Sequence, residues 1–315
     1  MDGAGVERVA VIGTGIIGAS WAACFLARGL DVLATDPAPG AEAALRRAVE
    51  AHWPAMEAMG LAPGASPDRL RFYASAEDAA DGAGFVQENG PERLDLKREL
   101  FRRLDAAAAP GVPLASSSST LMVSEFQDAC ARHPERVLLG HPFNPPHLIP
   151  LVEVVGGQAT SEEAIEQAMA FYTDCGKRPI RLRREMRGHV ANRLQAALWQ
   201  EAFHLVREGV VDVADVDTAI AHGPGLRWAL LGPFLNLHLS GGEGGMRHNL
   251  DHLGPPTEAM WRDLGTVHLT EALKERIVAG TDAEIGGVPI EQIAAQRDGI
   301  LVALLGLKAR AGKLP

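Results

Sequence analysis

Four polar residues stand where their side chains could act together on a hydroxyl group. His141 and Ser119 follow apolar runs that are typical of strands. Glu153 interrupts the apolar run at 151–155, and Asn192 stands at the start of a helical stretch. Histidine can take a hydroxyl proton near neutral pH, and a carboxylate beside it fixes its tautomer and stabilises the charged ring. Hydroxyl and amide groups can polarise the reacting oxygen, so the set predicts acid–base chemistry on an alcohol.

Each of these residues also has an ordinary structural interpretation. A histidine beside prolines can be a turn residue, and a serine in the run 116–119 can belong to a plain loop. An asparagine at a helix start can cap the helix. The glutamate could face solvent, but a buried carboxylate without a partner would cost several kcal/mol. If Glu153 is buried, we therefore expect it to be paired.

The N-terminal part of the chain is expected to form the fold that positions such a site. Its sequence predicts a strand, a glycine turn and a helix, with an acidic residue at the end of the next strand. The apolar run 9–12 leads into the turn, and Asp36 ends the next apolar run. This order is the dinucleotide-binding fingerprint, in which the helix N-terminus faces the pyrophosphate and the acid accepts hydrogen bonds from the ribose. The turn residues expected to bind the cofactor are Gly13, Thr14, Gly15, Ile16, Ile17 and Gly18.

Asp36 also predicts which dinucleotide is bound. Its carboxylate would repel the 2′-phosphate of NADP, and the next residues, 37–39, include no arginine to bind one. NAD is therefore the expected cofactor. The alternative is a glycine-rich turn in some other α/β protein.

Composition excludes several other classes of function. A net charge of −10 disfavours binding to nucleic acid or to anionic membrane surfaces, and no apolar stretch is long enough to span a bilayer. The first five residues lack a leader pattern, and the three cysteines lie far apart, which favours a reducing, cytoplasmic location. His248 and His252 have helical spacing without an obvious third ligand, so no metal site is predicted.

The pattern of elements predicts an α/β fold with two domains. Strand and helix signals alternate in the first part, which is typical of a Rossmann-type, doubly wound parallel sheet. After residue 187 the strand signals nearly vanish and helical periodicity takes over. We therefore divide the chain into an NAD-binding domain at 1–187 and an all-helical domain at 188–315. The expected strands are 9–12, 32–34, 85–87, 112–115, 137–140, 151–155 and 179–182.

These motifs together resemble the L-3-hydroxyacyl-CoA dehydrogenase family over nearly the whole chain. The resemblance rests on the glycine turn with Asp36 and on the segments at 91–97, 116–121, 141–145, 151–153 and 188–194. It implies that a 3-hydroxyl is oxidised to a 3-oxo group with NAD. It further implies that His141 is the catalytic base with Glu153 as its partner, and that Ser119 and Asn192 contact the reacting oxygen.

The same resemblance implies roles for residues along the cofactor and for the helical domain. Glu92, Lys97 and Asn144 would lie along the NAD. The helical domain would form the interface of a homodimer. Members that use CoA carry a lysine- and serine-rich helical hairpin after the second strand, but the corresponding stretch at 46–54 contains no lysine.

The substrate is therefore expected to be a free acid rather than a thioester. Arg227, inside the glycine turn at 223–233, resembles an element of two branches that act on free acids, L-gulonate 3-dehydrogenase (the lambda-crystallin type) and L-carnitine dehydrogenase. Its guanidinium could bind the carboxylate. The alternative is that Arg227 pairs with an acid and fixes the turn. The later segment at 241–248 is most similar to the carnitine branch.

The chain departs from the carnitine branch at two positions. Carnitine enzymes tend to carry aspartate in place of Asn192 and an acid in place of Ala196. A quaternary ammonium needs a carboxylate or an aromatic cage, for which Phe143, Trp199 and Trp228 are candidates. The identity of the 3-hydroxy acid stays open. Alternatives are a dehydrogenase of short acyl-CoA and, in a different class, a non-catalytic NAD-binding or structural protein.

Overall fold

The computed structural model describes residues 5–312 and divides the chain after Val190 into two compact units. The first unit is an α/β fold and the second is helical, so the predicted fold class is confirmed. The sequence analysis had placed the division at residue 187.

The first unit is built on one sheet of eight described strands. Its strands are β1 (Arg8–Ile12), β2 (Asp31–Thr35), β3 (Leu70–Phe72), β4 (Phe85–Glu88), β5 (Leu114–Ser116), β6 (Val137–Pro142), β7 (Leu151–Gly156) and β8 (Arg178–Arg181). Its helices are α1 (Ile16–Ala27), α2 (Ala41–Met59), α3 (Ala76–Ala80), α4 (Leu94–Ala107) and α5 (Glu162–Asp174). The strand order β3-β2-β1-β4-β5-β6-β7-β8 reverses at β1, and in such sheets ligands bind at the carboxyl ends of the strands near this point.

The sheet departs from the predicted parallel arrangement at one place, because β7 runs antiparallel to β6. A parallel crossover needs a dozen or more residues, usually with a helix, whereas only residues 143–150 connect these two strands. The other strand pairs are parallel. The short edge strand β3 was not predicted, because only Leu70 of its residues is buried and no apolar pattern marks it.

Hydrophobic packing covers both faces of this sheet. Alternate residues of β1 face opposite sides, so Val9 and Val11 pack in one cluster while Ala10 and Ile12 pack in the other. The first cluster includes α1, whose Trp21 ring stacks on Phe25 with 5.0 Å between centroids. The strands are thereby held on both sides, which fixes the positions of their carboxyl ends.

The second unit contains only helices among its described residues. They are α6 (Ala191–Glu208), α7 (Val213–His222), α8 (Pro224–Trp228), α9 (Pro233–Ser240), α10 (Gly245–Asp263), α11 (Glu271–Ile285) and α12 (Ile290–Ala311). The sequence analysis missed α10 because Pro255 and Pro256 lie inside it. Within residues 5–312, no helix is long and apolar enough to cross a membrane.

The helical unit has little core of its own. In its described part, the buried large apolar residues are Val206 and Leu273. By contrast, Phe234 is 75% exposed and Trp261 is 66% exposed. Apolar area of this extent is rarely left in contact with water on a monomeric protein.

The glycine turn after β1 is held by close backbone packing. Gly13 has a φ of +87°, and its N–H donates to the Thr35 carbonyl at 2.8 Å. A Cβ atom on Gly18 would lie only 1.9 Å from the Gly13 carbonyl oxygen. The third glycine therefore allows α1 to pack against the turn.

Gly18→Ala should destabilise the protein, although alanine has the higher helix propensity. Helix propensity alone predicts that the free energy of unfolding rises by about 1 kcal/mol, whereas overpacking lowers it by about 1–3 kcal/mol. We expect a melting temperature several degrees lower by scanning calorimetry. Gly15→Ala is the matched control, because no atom of the described chain lies within 4 Å of a Cβ built there. A Gly18→Ala protein as stable as the wild type would contradict the packing described for α1.

Candidate active site

A buried histidine–carboxylate pair lies on the antiparallel strands β6 and β7. His141 and Glu153 are direct cross-strand partners, so their side chains project from the same face of the sheet. Nδ1 of His141 lies 2.9 Å from Oε2 of Glu153. The Glu153 side chain is fully buried, and its other oxygen accepts the Val190 N–H at 2.8 Å. Glu153 therefore has the partner that the sequence analysis required.

The hydrogen bond decides which nitrogen of His141 can act as a base. An ionised carboxylate only accepts hydrogen bonds, so Nδ1 carries the proton in the neutral ring. Nε2 then keeps its lone pair and can accept a proton. When it does so, the charge of Glu153 stabilises the imidazolium. The pair has the geometry of a general base whose ring is oriented by a carboxylate.

The serine loop at residues 116–120 is fastened by Glu92. The carboxylate of Glu92 accepts hydrogen bonds from the Ser118 hydroxyl at 2.8 Å, the Thr120 hydroxyl at 3.3 Å, and the N–H and hydroxyl of Ser119. Partial burial opposes ionisation of Glu92, but hydrogen bonds from Ser119 and Ser118 and the Lys97 charge outweigh it and lower its pKa. Glu92, expected along the cofactor, therefore also shapes the loop that carries Ser119.

Lys97 is buried, and the hydrogen bonds of its ammonium group all go to protein partners. The side chain is 1% exposed, and Nζ donates to both oxygens of Glu88 at 2.9 and 2.7 Å and to the Ser116 hydroxyl at 3.1 Å. An ammonium group has three donors, and all three are used. Lys97 was expected along the cofactor, but here it joins the ends of β4 and β5. Sequence reasoning missed Glu88 and Ser116, although a buried lysine requires a carboxylate nearby.

The loop after β6 begins beside His141. The Phe143 ring stands edge-on to His141 with 5.7 Å between centroids. Asn144 is exposed and precedes a cis bond to Pro145. Further along, His147 contacts the Ser20 hydroxyl of α1 through Nδ1 at 2.6 Å. Phe143 thus lies next to the proposed base, and the end of its loop is anchored to the fold.

The glycine turn fits the pyrophosphate of NAD. A Cβ atom on Gly15 would meet no atom of the described residues within 4 Å, so protein packing does not demand a glycine there. The N-terminus of α1 has no side-chain cap in the described structure, which leaves its first N–H groups for a ligand. Filling this space with a methyl group should weaken NAD binding without loss of stability.

Asp36 is placed at the end of β2 as the ribose contact requires. One oxygen accepts the Thr14 N–H at 2.7 Å and the other accepts the Ala38 N–H at 2.9 Å. Each carboxylate oxygen has a further lone pair, so ribose hydroxyls can still be bound. Asp36 therefore ties the glycine turn to the end of β2, and its free lone pairs fit the predicted ribose contact.

The two remaining predicted residues belong to the helical unit. Asn192 is the second residue of α6, and Arg227 lies in α8 rather than in an open turn. Arg227 is exposed, and among residues 5–312 no acidic side chain forms an ion pair with it. The described structure therefore gives no support to the alternative in which an acid fixes this arginine.

Sequence reasoning missed one histidine of this region. His189 is buried, and its ring centroid lies 4.9 Å from that of His141. The sequence analysis included it only within the segment at 188–194 and gave it no role. The available signal was its position directly after Gly188, where a chain reversal can bring a side chain inward.

Family profiles cover most of the chain. The profile described as "3-hydroxyacyl-CoA dehydrogenase, NAD binding domain" matches residues 8–186. The profile described as "3-hydroxyacyl-CoA dehydrogenase, C-terminal domain" matches residues 188–274.

Similar proteins and a solved structure agree with these profiles. The L-carnitine dehydrogenase of Pseudomonas aeruginosa is 50% identical over 98% of this chain and 97% of its own length. That of Streptomyces griseus is also 50% identical, over 98% of this chain and 91% of its own length. The crystal structure of 5-formyl-3-hydroxy-2-methylpyridine-4-carboxylic acid 5-dehydrogenase, an NAD-dependent dismutase, superposes with a TM-score of 0.83 at 28% identity, covering 97% of this chain and 99% of that one.

The predicted reaction type and cofactor are thereby confirmed. The chain is an NAD-dependent dehydrogenase that acts on the CH–OH group of a small 3-hydroxy acid, and it belongs to the 3-hydroxyacyl-CoA dehydrogenase family.

Proposed function

We propose that the protein oxidises the 3-hydroxyl of L-carnitine to the 3-oxo acid, with His141 as the general base. The observation that carries the base assignment is the buried hydrogen bond between His141 Nδ1 and Glu153, which leaves Nε2 as a proton acceptor. The substrate assignment is supported by relatives named L-carnitine dehydrogenase that match nearly the whole chain at 50% identity.

The proton and the hydride leave the substrate separately. Nε2 of His141 takes the proton of the 3-hydroxyl as the carbon–oxygen double bond forms. Bound NAD supplies the acceptor for the hydride that leaves the same carbon. The buried charge of Glu153 stabilises the imidazolium, which later releases its proton to water.

Ser119 would polarise the reacting oxygen only after a local exchange of hydrogen bonds. Its hydroxyl donates to Glu92 at 3.1 Å in this structure. If that hydrogen turns to the substrate oxygen, Glu92 still accepts from the Ser119 N–H, Ser118 and Thr120. The loop can therefore stay fixed while the hydroxyl changes its partner.

Arg227 and Asn192 are assigned to the substrate by the family resemblance. The guanidinium of Arg227 would bind the carboxylate, which a CoA thioester lacks. Asn192 would donate to the reacting oxygen through its amide. Because Asn192 is uncharged where carnitine enzymes tend to carry aspartate, a 3-hydroxy acid without an ammonium group, such as L-gulonate, is the second candidate.

A substrate panel tests the assignment to a free acid. We expect NAD reduction, followed at 340 nm, to be most efficient with L-carnitine among L-carnitine, L-gulonate, 3-hydroxybutyrate and 3-hydroxybutyryl-CoA. Arg227→Met should raise KM for the best acid about tenfold or more, since a charge-assisted hydrogen bond contributes about 1.5–3 kcal/mol.

The control is Arg262→Met, which removes an exposed arginine that pairs with Glu258 on α10. It should leave KM unchanged. Efficient turnover of 3-hydroxybutyryl-CoA without activity on any free acid would contradict the proposal. L-Gulonate as the best substrate would replace L-carnitine with the second candidate.

We further propose that the protein is a homodimer formed through its helical unit. The support is the apolar surface of that unit, which includes Trp199, Phe234, Trp261 and Ile290, all of them exposed in the single chain. A second copy is the simplest cover for such a surface, because most oligomers of soluble proteins are symmetric dimers.

Sedimentation equilibrium at micromolar concentration tests the dimer. We expect twice the chain mass of 33.5 kDa. A monomer at that concentration would contradict the proposal and would require another cover for the apolar helices.

We also propose a cytoplasmic location for the enzyme. Cys24, Cys130 and Cys175 are all unpaired and buried. Burial raises the pKa of Cys130 to about 12, so its thiol stays protonated and unreactive. Free buried thiols are typical of proteins from reducing compartments.

A further inference from the structure

His189 occupies an unusual backbone position beside the proposed base. Its φ is +50°, which is the left-handed region that favours glycine or asparagine. The side chain is nevertheless buried, with 3% of the residue exposed. A histidine held in this conformation inside the protein is placed there by its surroundings rather than by its own preference.

The contacts of His189 define its tautomer. Nε2 lies 3.2 Å from the carbonyl oxygen of Ser118, which can only accept a hydrogen bond, so Nε2 carries the proton. Nδ1 is buried and has no hydrogen-bond partner among residues 5–312. The ring also contacts His141, with 4.9 Å between centroids and 49° between planes. His189 therefore connects the serine loop to the catalytic base.

The surroundings of His189 oppose a positive charge on its ring. The titratable groups that act on it are His141 on β6, Glu153 on β7 and Glu92 before α4, while the serine loop contributes a carbonyl. Burial, followed by the repulsion of His141, lowers the pKa of His189 below its usual value of 6.5. Glu153 is already hydrogen-bonded to His141 and to Val190.

We propose that His189 is a positioning residue of the active site, which braces the imidazole of His141 against the serine loop and, by staying uncharged, leaves His141 to carry the proton of the reaction. This inference rests on the proposed role of His141. It implies that oxidation requires both rings to be neutral before the proton is transferred.

His189→Asn is the variant of choice for the test. Asparagine tolerates the left-handed backbone and has no group that titrates in this range. His189→Phe keeps an aromatic ring but cannot donate to the Ser118 carbonyl. His133→Asn is the control, because His133 belongs to the same unit but is remote from this network: its side chain is 34% exposed and pairs with Glu135 at 2.9 Å.

The readouts are kcat, KM and the pH profile of kcat/KM with the best acid substrate. In the wild type, the plot of log kcat/KM against pH should steepen on its acid side toward a slope of about two, because His189 binds a proton in addition to the one on His141. In His189→Asn the slope should stay at about one. Both His189 variants should lower kcat by about tenfold with KM for NAD nearly unchanged. His133→Asn should match the wild type in every readout.

An acid limb equally steep in wild type and His189→Asn, with or without a loss of kcat, would overturn the proposal. Nitrogen-15 NMR of the imidazoles provides a test that needs no substrate. It should show His189 uncharged at pH 7 with its proton on Nε2, and a charged His189 would overturn the proposal even if the substrate were wrongly assigned. A wild type that oxidises none of the free acids would contradict the proposed substrate class and leave this NMR result as the test of His189.

Discussion

The antiparallel pairing of β6 with β7 is the constraint on which the site depends. It places His141 directly opposite Glu153, so one ladder of backbone hydrogen bonds sets the distance between the imidazole and the carboxylate. A parallel β7 would have a different register and would require a crossover helix in place of the loop at 143–150. The same carboxylate accepts the N–H of Val190, the last residue of the first unit. Glu153 therefore also holds the backbone at the end of that unit.

The other polar groups of the sheet keep the surrounding loops in place. Lys97, Glu88 and Ser116 form a buried network that ties β4 to β5 and thereby fixes the start of the serine loop. Glu92 then fastens the middle of that loop. Buried polar networks are rigid when every member has a partner, and a rigid frame lets the catalytic groups act without reorganisation.

The sequence predicts those parts of the fold that local patterns determine. The glycine turn with Asp36 indicates a nucleotide fold, because Gly13 and Gly18 have local steric reasons and Gly15 leaves open space among the described residues where a pyrophosphate could lie. The cost of burying an unpaired carboxylate predicts that Glu153 has a partner, and the family resemblance identifies His141 as that partner. The contacts of Lys97 and the inward position of His189 were not predictable in this way, because they depend on partners distant in sequence. The direction of β7 follows from the short link at 143–150, which is too short for a parallel crossover. Helix α10 was not predicted because Pro255 and Pro256 lie inside it, and proline ordinarily interrupts a helix.

The most direct test of the account is a double-mutant cycle on the His141–Glu153 pair. His141→Ala should lower kcat by about 10²–10⁴, the usual contribution of a general base, while NAD affinity stays nearly the same. Glu153→Gln should lower kcat in the wild type, but it should cost little in the His141→Ala background, because the carboxylate acts through the histidine. A His141→Ala protein with wild-type turnover, or losses that multiply in the double variant, would contradict the account.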